Sequence, residues 1–154
     1  CDVLACETIP NLMEARALVR LLKELEHPAW LTFSCSSGES VSSGEPFEAA
    51  VRLAAGCEQV VGVGVNCTAP EHVAALIRTC VTGKAGHQHV VVYPNSGEEW
   101  DGETHAWKDG TAVRDECFAD LAKDWAALGA DCIGGCCRTG PSTIAALRRR
   151  FRGL

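Results

Sequence analysis

The chain has 154 residues, of which 47% are hydrophobic and 22% are charged, a balance typical of a globular protein rather than of a disordered or fibrous one. Its 14 lysines and arginines against 20 aspartates and glutamates give a net charge of -6, which argues against nucleic acid or an anionic membrane as a partner. No apolar run approaches the roughly 18 residues that a membrane span needs, and no signal-peptide pattern is present, so we expect a cytoplasmic protein.

Five short apolar runs alternate with segments of helical periodicity. The runs are unbroken and rich in β-branched residues, as is typical of strands buried on both faces of a parallel sheet. Helical stripes lie between them; for example, Leu18, Leu21, Leu22 and Leu25 recur at the i, i+3, i+4 and i+7 positions of one helix face. The predicted strands are residues 3–6, 30–35, 60–65, 89–93 and 132–135.

The resulting βα order fits either an open doubly wound sheet or a (β/α)8 TIM barrel. The segment at 7–10 is ETIP rather than a glycine-rich phosphate turn, which favours the barrel. A whole barrel needs eight units and typically about 250 residues. The expected fold class is therefore α/β, with residues 1–154 forming the C-terminal part of a TIM barrel of about five βα units, the first three being absent. The insertion at 95–111 contains His105 and Trp107, which could form a lid, although an exposed loop is the preferred interpretation.

Cysteines follow two of the predicted strands at the end that carries the active site in barrels. Cys67 follows the third strand and Cys136 and Cys137 follow the fifth, so their thiols can converge. Neighbouring residues of a strand point to opposite faces, so both cysteines of the pair can reach one ion only if the strand has ended in a turn, which the glycines at 134–135 permit. Three thiolates suit zinc and leave a fourth position for a substrate. The spacing alone also allows other interpretations: a site for cobalt or iron, ordinary core cysteines, or a vicinal disulfide.

Four sequence strings resemble those of the homocysteine S-methyltransferase family, in that family's order and along essentially the whole chain. They are LACETIP at 4–10, GVNCT at 64–68, YPNSGE at 93–98 and GGCCRTGP at 134–141. The resemblance implies that Cys67, Cys136 and Cys137 bind Zn²⁺. It also implies that Glu7 binds the substrate, and a carboxylate suits the ammonium group of homocysteine. Ser34 and Asn66 are expected to contact the substrate. The other interpretations are that these side chains support the metal ligands, or that they are simply solvated polar groups at the ends of strands.

The resemblance further implies zinc-dependent transfer of a methyl group from S-methylmethionine or S-adenosylmethionine to homocysteine, giving methionine. A betaine-dependent methyltransferase and the homocysteine domain of a methionine synthase are the alternatives within this chemistry. A non-catalytic zinc-binding or thiol-redox module is the alternative from another class. The expected partners are small molecules, homocysteine and a methyl donor, and the oligomeric state stays unknown. Nothing matches the glycine-rich, Asp-containing first strand of the family, so these residues alone are expected to be poorly active or prone to aggregate.

Overall fold

A five-stranded parallel sheet forms the centre of the molecule. The computed structural model describes residues 1–98, 100–108, 110 and 112–152. The strands of the sheet are β1 (Leu4–Ile9), β2 (Ala29–Phe33), β3 (Val60–Asn66), β4 (His89–Tyr93) and β7 (Cys132–Ile133); β5 (Trp100–Asp101) and β6 (Ala106–Trp107) form a separate hairpin. The five strands pair in chain order, as β1-β2-β3-β4-β7. This continuous winding confirms the predicted class, because a doubly wound sheet would reverse its strand order at one point.

Among the described residues, four helices connect the strands and a fifth follows β7. They are α1 (Leu12–Leu25), α2 (Phe47–Ala55), α3 (Pro70–Gly83), α4 (Asp115–Ala127) and α5 (Pro141–Arg152). In α1 the buried positions recur with helical spacing, at Leu12, Ala15, Val19 and Leu22. In the described ranges, no helix is both long and apolar enough to cross a membrane.

The boundaries of four strands differ from the predictions, that of β3 by one residue, at Asn66. β1 continues to Ile9 rather than ending at residue 6, and its pairing with β2 is irregular between Cys6 and Ile9. β2 ends at Phe33 instead of residue 35, and β7 ends at Ile133 instead of residue 135. The ends of the strands depend on the loops that leave them, which apolar patterning does not reveal.

A short antiparallel hairpin lies inside the insertion at 95–111. It consists of β5 (Trp100–Asp101) and β6 (Ala106–Trp107). His105 is exposed and stacks on Trp100 with ring centroids 6.5 Å apart. This contact lies within the hairpin itself and fits the exposed-loop interpretation; the side chain of Trp107, the other residue of the predicted lid, lies outside the described part.

Candidate metal centre

Three thiols meet at the carboxyl edge of the parallel sheet. The sulfur of Cys137 lies 3.5 Å from that of Cys67 and 4.0 Å from that of Cys136. All three sulfur atoms lie within 4.8 Å of one another, and among the described residues this is the one group of three or more such side chains close enough to share an ion. The structure thus brings together the three cysteines that the sequence singles out.

The spacing of the sulfurs fits a single zinc ion. Zinc–sulfur bonds of about 2.3 Å in a tetrahedron place neighbouring sulfurs about 3.8 Å apart, and the two measured distances lie on either side of this value. A disulfide would need about 2.05 Å, and all ten cysteines are free. Cys137 is exposed, which does not fit an ordinary core cysteine. The donor set and its geometry therefore favour a metal site over the other two interpretations.

Tight turns aim the three thiols at one point. Cys67 follows β3 in a left-handed backbone conformation, with φ of 47°, and its N–H donates to the carbonyl of Tyr93 at 3.3 Å. On the other side, Cys136 N–H donates to the carbonyl of Pro94 at 2.8 Å, so the chain has already left β7. A Cβ at Gly135 would lie 2.3 Å from Thr139 Oγ1, so this turn requires glycine.

The surroundings of Cys67 disfavour ionisation of its thiol. Burial, together with the adjacent Cys136 and Cys137 thiols, raises the pKa of Cys67 to about 12. A bound cation supplies the opposite charge and favours the thiolates. The electrostatics of the cluster therefore suit a site whose ligands lose their protons when a metal binds.

Asn66 joins the end of β1 to the thiol cluster. Its side chain is fully buried, and its Oδ1 accepts from the N–H of Thr8 at 2.8 Å while its Nδ2 donates to Thr8 Oγ1 at 2.8 Å. The same Nδ2 lies 3.9 Å from the sulfur of Cys136. Asn66 thus contacts both halves of the candidate site, whereas its predicted contact with substrate stays a prediction.

Glu7 lines a cavity next to the cysteine turn. This cavity has a volume of about 420 Å³ and is also lined by Trp30, Tyr93, Gly134 and Gly135. The hydroxyl groups of Tyr93 and Thr32 are 2.7 Å apart. Burial, together with the nearby Glu7, raises the pKa of Tyr93 to about 12, so Tyr93 presents a neutral hydroxyl. The cavity combines a carboxylate, an aromatic wall and the two glycines that directly precede Cys136.

Ser34 lies on the loop after β2, where its Oγ accepts from Ser42 Oγ at 2.8 Å. Among the described residues, no hydrogen bond joins it to the thiols or to Glu7. Its role in binding substrate stays a prediction.

Sequence reasoning missed an ion pair beside the cysteines. Glu98 is only 8% exposed, and Arg138, which follows Cys137 directly, donates from Nη2 to Glu98 Oε1 at 3.0 Å and from Nε to Oε2. The bonds from Arg138 hold the pKa of Glu98 below its usual value. Glu98 is the last residue of YPNSGE, and Arg138 lies within GGCCRTGP. Membership of these two strings is the signal that could have identified the pair.

These features define an α/β protein, part of a barrel, with a candidate metal-thiolate site at the carboxyl edge of its parallel sheet. Residues 1–151 match the family model described as homocysteine S-methyltransferase, and the chain belongs to this family. It is 44% identical to homocysteine S-methyltransferase 1 of Zea mays over 99% of this chain and 47% of that protein. It is 40% identical to selenocysteine Se-methyltransferase of Brassica oleracea var. italica over 97% of this chain and 43% of that protein.

Solved structures of a bacterial relative share the fold. The metallated form of the homocysteine methyltransferase MmuM from Escherichia coli matches with a TM-score of 0.76 and 40% identity, over 97% of this chain and 45% of that one. Its oxidized form matches with a TM-score of 0.78 and 40% identity, over 97% of this chain and 46% of that one. The chain thus spans about half the length of the relatives that it matches.

Proposed function

We propose that the full-length protein transfers a methyl group from a sulfonium donor to homocysteine, giving methionine, and that this chain supplies its metal-binding half. The observation that carries the proposal is the convergence of Cys67, Cys136 and Cys137 beside a cavity that Glu7 lines. Three thiol ligands leave a fourth position on the metal, as in catalytic rather than structural zinc sites.

Each residue of the site has a distinct role in this proposal. Zn²⁺ held by the three cysteines would supply a Lewis acid that binds the substrate thiol and favours its nucleophilic thiolate form. Glu7 accepts hydrogen bonds from the ammonium group of homocysteine. Asn66 holds Thr8 and thereby keeps the neighbouring Glu7 at the cavity, and Ser34 provides a further polar contact with substrate.

S-methylmethionine and S-adenosylmethionine are the proposed donors, because both carry a methyl group on a positively charged sulfur that leaves as a neutral thioether. Betaine-dependent transfer and the homocysteine domain of a methionine synthase are the alternatives. The relative named selenocysteine Se-methyltransferase makes a selenol a second candidate acceptor. We place the reaction in the cytoplasm, since thiols are kept reduced there and the site needs three free cysteines.

The test is a methyl-transfer assay on the full-length protein together with its zinc content. Methionine formation from homocysteine is measured with S-methylmethionine, S-adenosylmethionine and betaine in turn. Cys137→Ser removes one ligand, and Cys117→Ser, on α4 outside the cluster, is the matched control. We expect stoichiometric zinc, activity with a sulfonium donor, and a loss on the order of 100-fold or more in Cys137→Ser alone, because a ligand is lost rather than a supporting group.

Other outcomes separate the alternatives. Activity with betaine alone would favour the betaine-dependent enzyme. Stoichiometric zinc without methyl transfer from any donor would favour the non-catalytic module. A zinc-free native protein with a disulfide between Cys136 and Cys137 would overturn the proposal.

A further inference from the structure

The turn that carries Cys136 and Cys137 has little support from the sheet. β7 is only two residues long and pairs with β4 at Val91–Cys132 and Val92–Ile133. Beyond these pairs, Gly134 N–H donates to the carbonyl of Val92 at 2.9 Å, and the next two residues with side chains are the cysteines. Among the described residues β7 is also an edge strand. The position of the two thiols must therefore depend on contacts outside the sheet.

Residues 94–98, which follow β4, provide these contacts; we refer to them as the 94–98 segment. The carbonyl of Pro94 accepts from Cys136 N–H at 2.8 Å, and Ser96 N–H donates to the carbonyl of Cys137 at 3.1 Å. On its other side, Asn95 N–H donates to the carbonyl of Thr68 at 3.1 Å, next to Cys67. The 94–98 segment thus lies between the two turns that bear the thiols and bonds to both.

The last residue of this segment binds the cysteine turn through its side chain. Glu98 is buried, and both of its oxygens bind the guanidinium of Arg138. Ser96 Oγ donates to Glu98 Oε2 at 3.1 Å, which fixes the carboxylate within its own segment. Arg138 has φ of 65°, a conformation that non-glycine residues rarely adopt and that the surroundings must hold in place.

We propose that Glu98 is a positioning residue for the zinc site, which acts through Arg138 to fix the backbone after Cys137 and hence the place of its thiol. This inference rests on the proposed zinc function. Arg138 follows Cys137 directly, so any relaxation of its left-handed conformation rotates the peptide that carries the ligand. Bidentate pairing with a buried carboxylate specifies geometry in a way that a solvated charge does not. Removing Glu98 should therefore change metal binding more than it changes the fold.

The chain offers a matched control for this change. Glu116 on α4 also binds arginines, with Arg149 at 2.6 Å and Arg150 at 3.7 Å, but the group is exposed and lies on the helical surface. Glu98→Gln and Glu116→Gln are the same chemical substitution at an arginine-bound carboxylate. They differ in burial, which the melting temperatures monitor, and in whether the partner arginine adjoins a thiol ligand.

The experiment uses the full-length protein and measures the zinc Kd by competition with a chromophoric chelator. It also records the thiolate-to-metal charge-transfer absorption of the Co²⁺-substituted protein and the melting temperature of the metal-free protein. We expect Glu98→Gln to raise the zinc Kd by about 10- to 100-fold, the range for groups that orient metal ligands, and to weaken the Co²⁺ absorption. Glu116→Gln should leave both unchanged. Glu98→Gln combined with Arg138→Gln should bind zinc no more weakly than Arg138→Gln alone, because the effect of Glu98 passes through Arg138.

A zinc Kd in Glu98→Gln within about twofold of the parent value would overturn the inference. So would an equal loss of zinc affinity in Glu98→Gln and Glu116→Gln that parallels the fall in their melting temperatures. If Glu98→Gln does not fold, Glu98→Asp replaces it; weaker zinc binding at an unchanged melting temperature supports the inference, and parental binding overturns it. A protein that binds zinc but methylates no thiol or selenol overturns the proposed function and leaves the role of Glu98 standing.

Discussion

Replacing Asn66 by alanine should raise the KM for homocysteine, although Asn66 itself need not touch the substrate. Both amide atoms of Asn66 bond to Thr8 at 2.8 Å, one to its N–H and one to its hydroxyl. Thr8 has φ of 59°, in the left-handed region that residues other than glycine avoid. Alanine removes both bonds, so the backbone beside Glu7 loses the contacts that hold it there.

The size of the effect follows from the strain at Thr8. A non-glycine residue in the left-handed conformation costs about 1–2 kcal/mol, and without Asn66 this energy favours a relaxed backbone. The fraction of molecules with Glu7 in its present position then falls about 5- to 30-fold, and the KM for homocysteine should rise by the same factor. The two lost hydrogen bonds should lower the free energy of unfolding by about 1–3 kcal/mol, towards the lower value because Thr8 is exposed and water can replace Asn66.

The assay is steady-state methyl transfer at saturating donor, with the melting temperature measured in parallel. Adding Thr8→Gly to Asn66→Ala should lower the KM again, since glycine adopts a positive φ without strain. Glu26→Gly is the control: Glu26 has φ of 50° at the C-cap of α1, so the change should stabilise the protein and leave the KM unchanged. A parental KM in Asn66→Ala, or a raised KM that Thr8→Gly does not lower, would refute the reasoning.

Three further predictions concern the sheet, the helices and the metal. Gly64→Ala should abolish soluble expression, because a Cβ there would lie 1.8 Å from the carbonyl oxygen of Val91; a folded variant would contradict this close packing. Hydrogen bonding, first from Thr143 and then from Ser142, lowers the pKa of Asp115. Its contribution to stability is therefore fully present above the ordinary aspartate pKa of about 4, and it is lost as the pH falls from there through the lowered pKa of the folded protein. Calorimetry should accordingly find Asp115→Asn less stable than the parent at pH 7, with a deficit that shrinks as the pH falls below about 4; a deficit of undiminished size at pH 3 would argue against it. Removing zinc with a chelator should abolish methyl transfer, and adding zinc should restore it. Circular dichroism should keep the helical signal of the parent, because the apolar core does not include the three thiols. Loss of that signal would show that the fold depends on the metal.

The order of strands and helices could be predicted because it depends on local patterning. The strand at His89–Tyr93 was predicted to the residue, since a run of valines between polar residues is visible in the sequence. The convergence of Cys67 with Cys136 and Cys137 followed from one further rule, that parallel strands bring their carboxyl ends to the same edge. The family resemblance pointed to the same three residues independently of this rule.

The contacts that hold the site in place depend on the tertiary structure. The pairing of Glu98 with Arg138 and the bonds from Asn66 to Thr8 join residues 40 and 58 positions apart in the chain. The left-handed conformations of Thr8 and Arg138 have no local signal either, because neither residue is a glycine. Each feature arises where loops from different strands approach one another, and that approach is decided by the packing of the whole sheet. The sequence by itself thus determined which atoms can bind a metal, and only the tertiary structure decided which side chains hold those atoms in position.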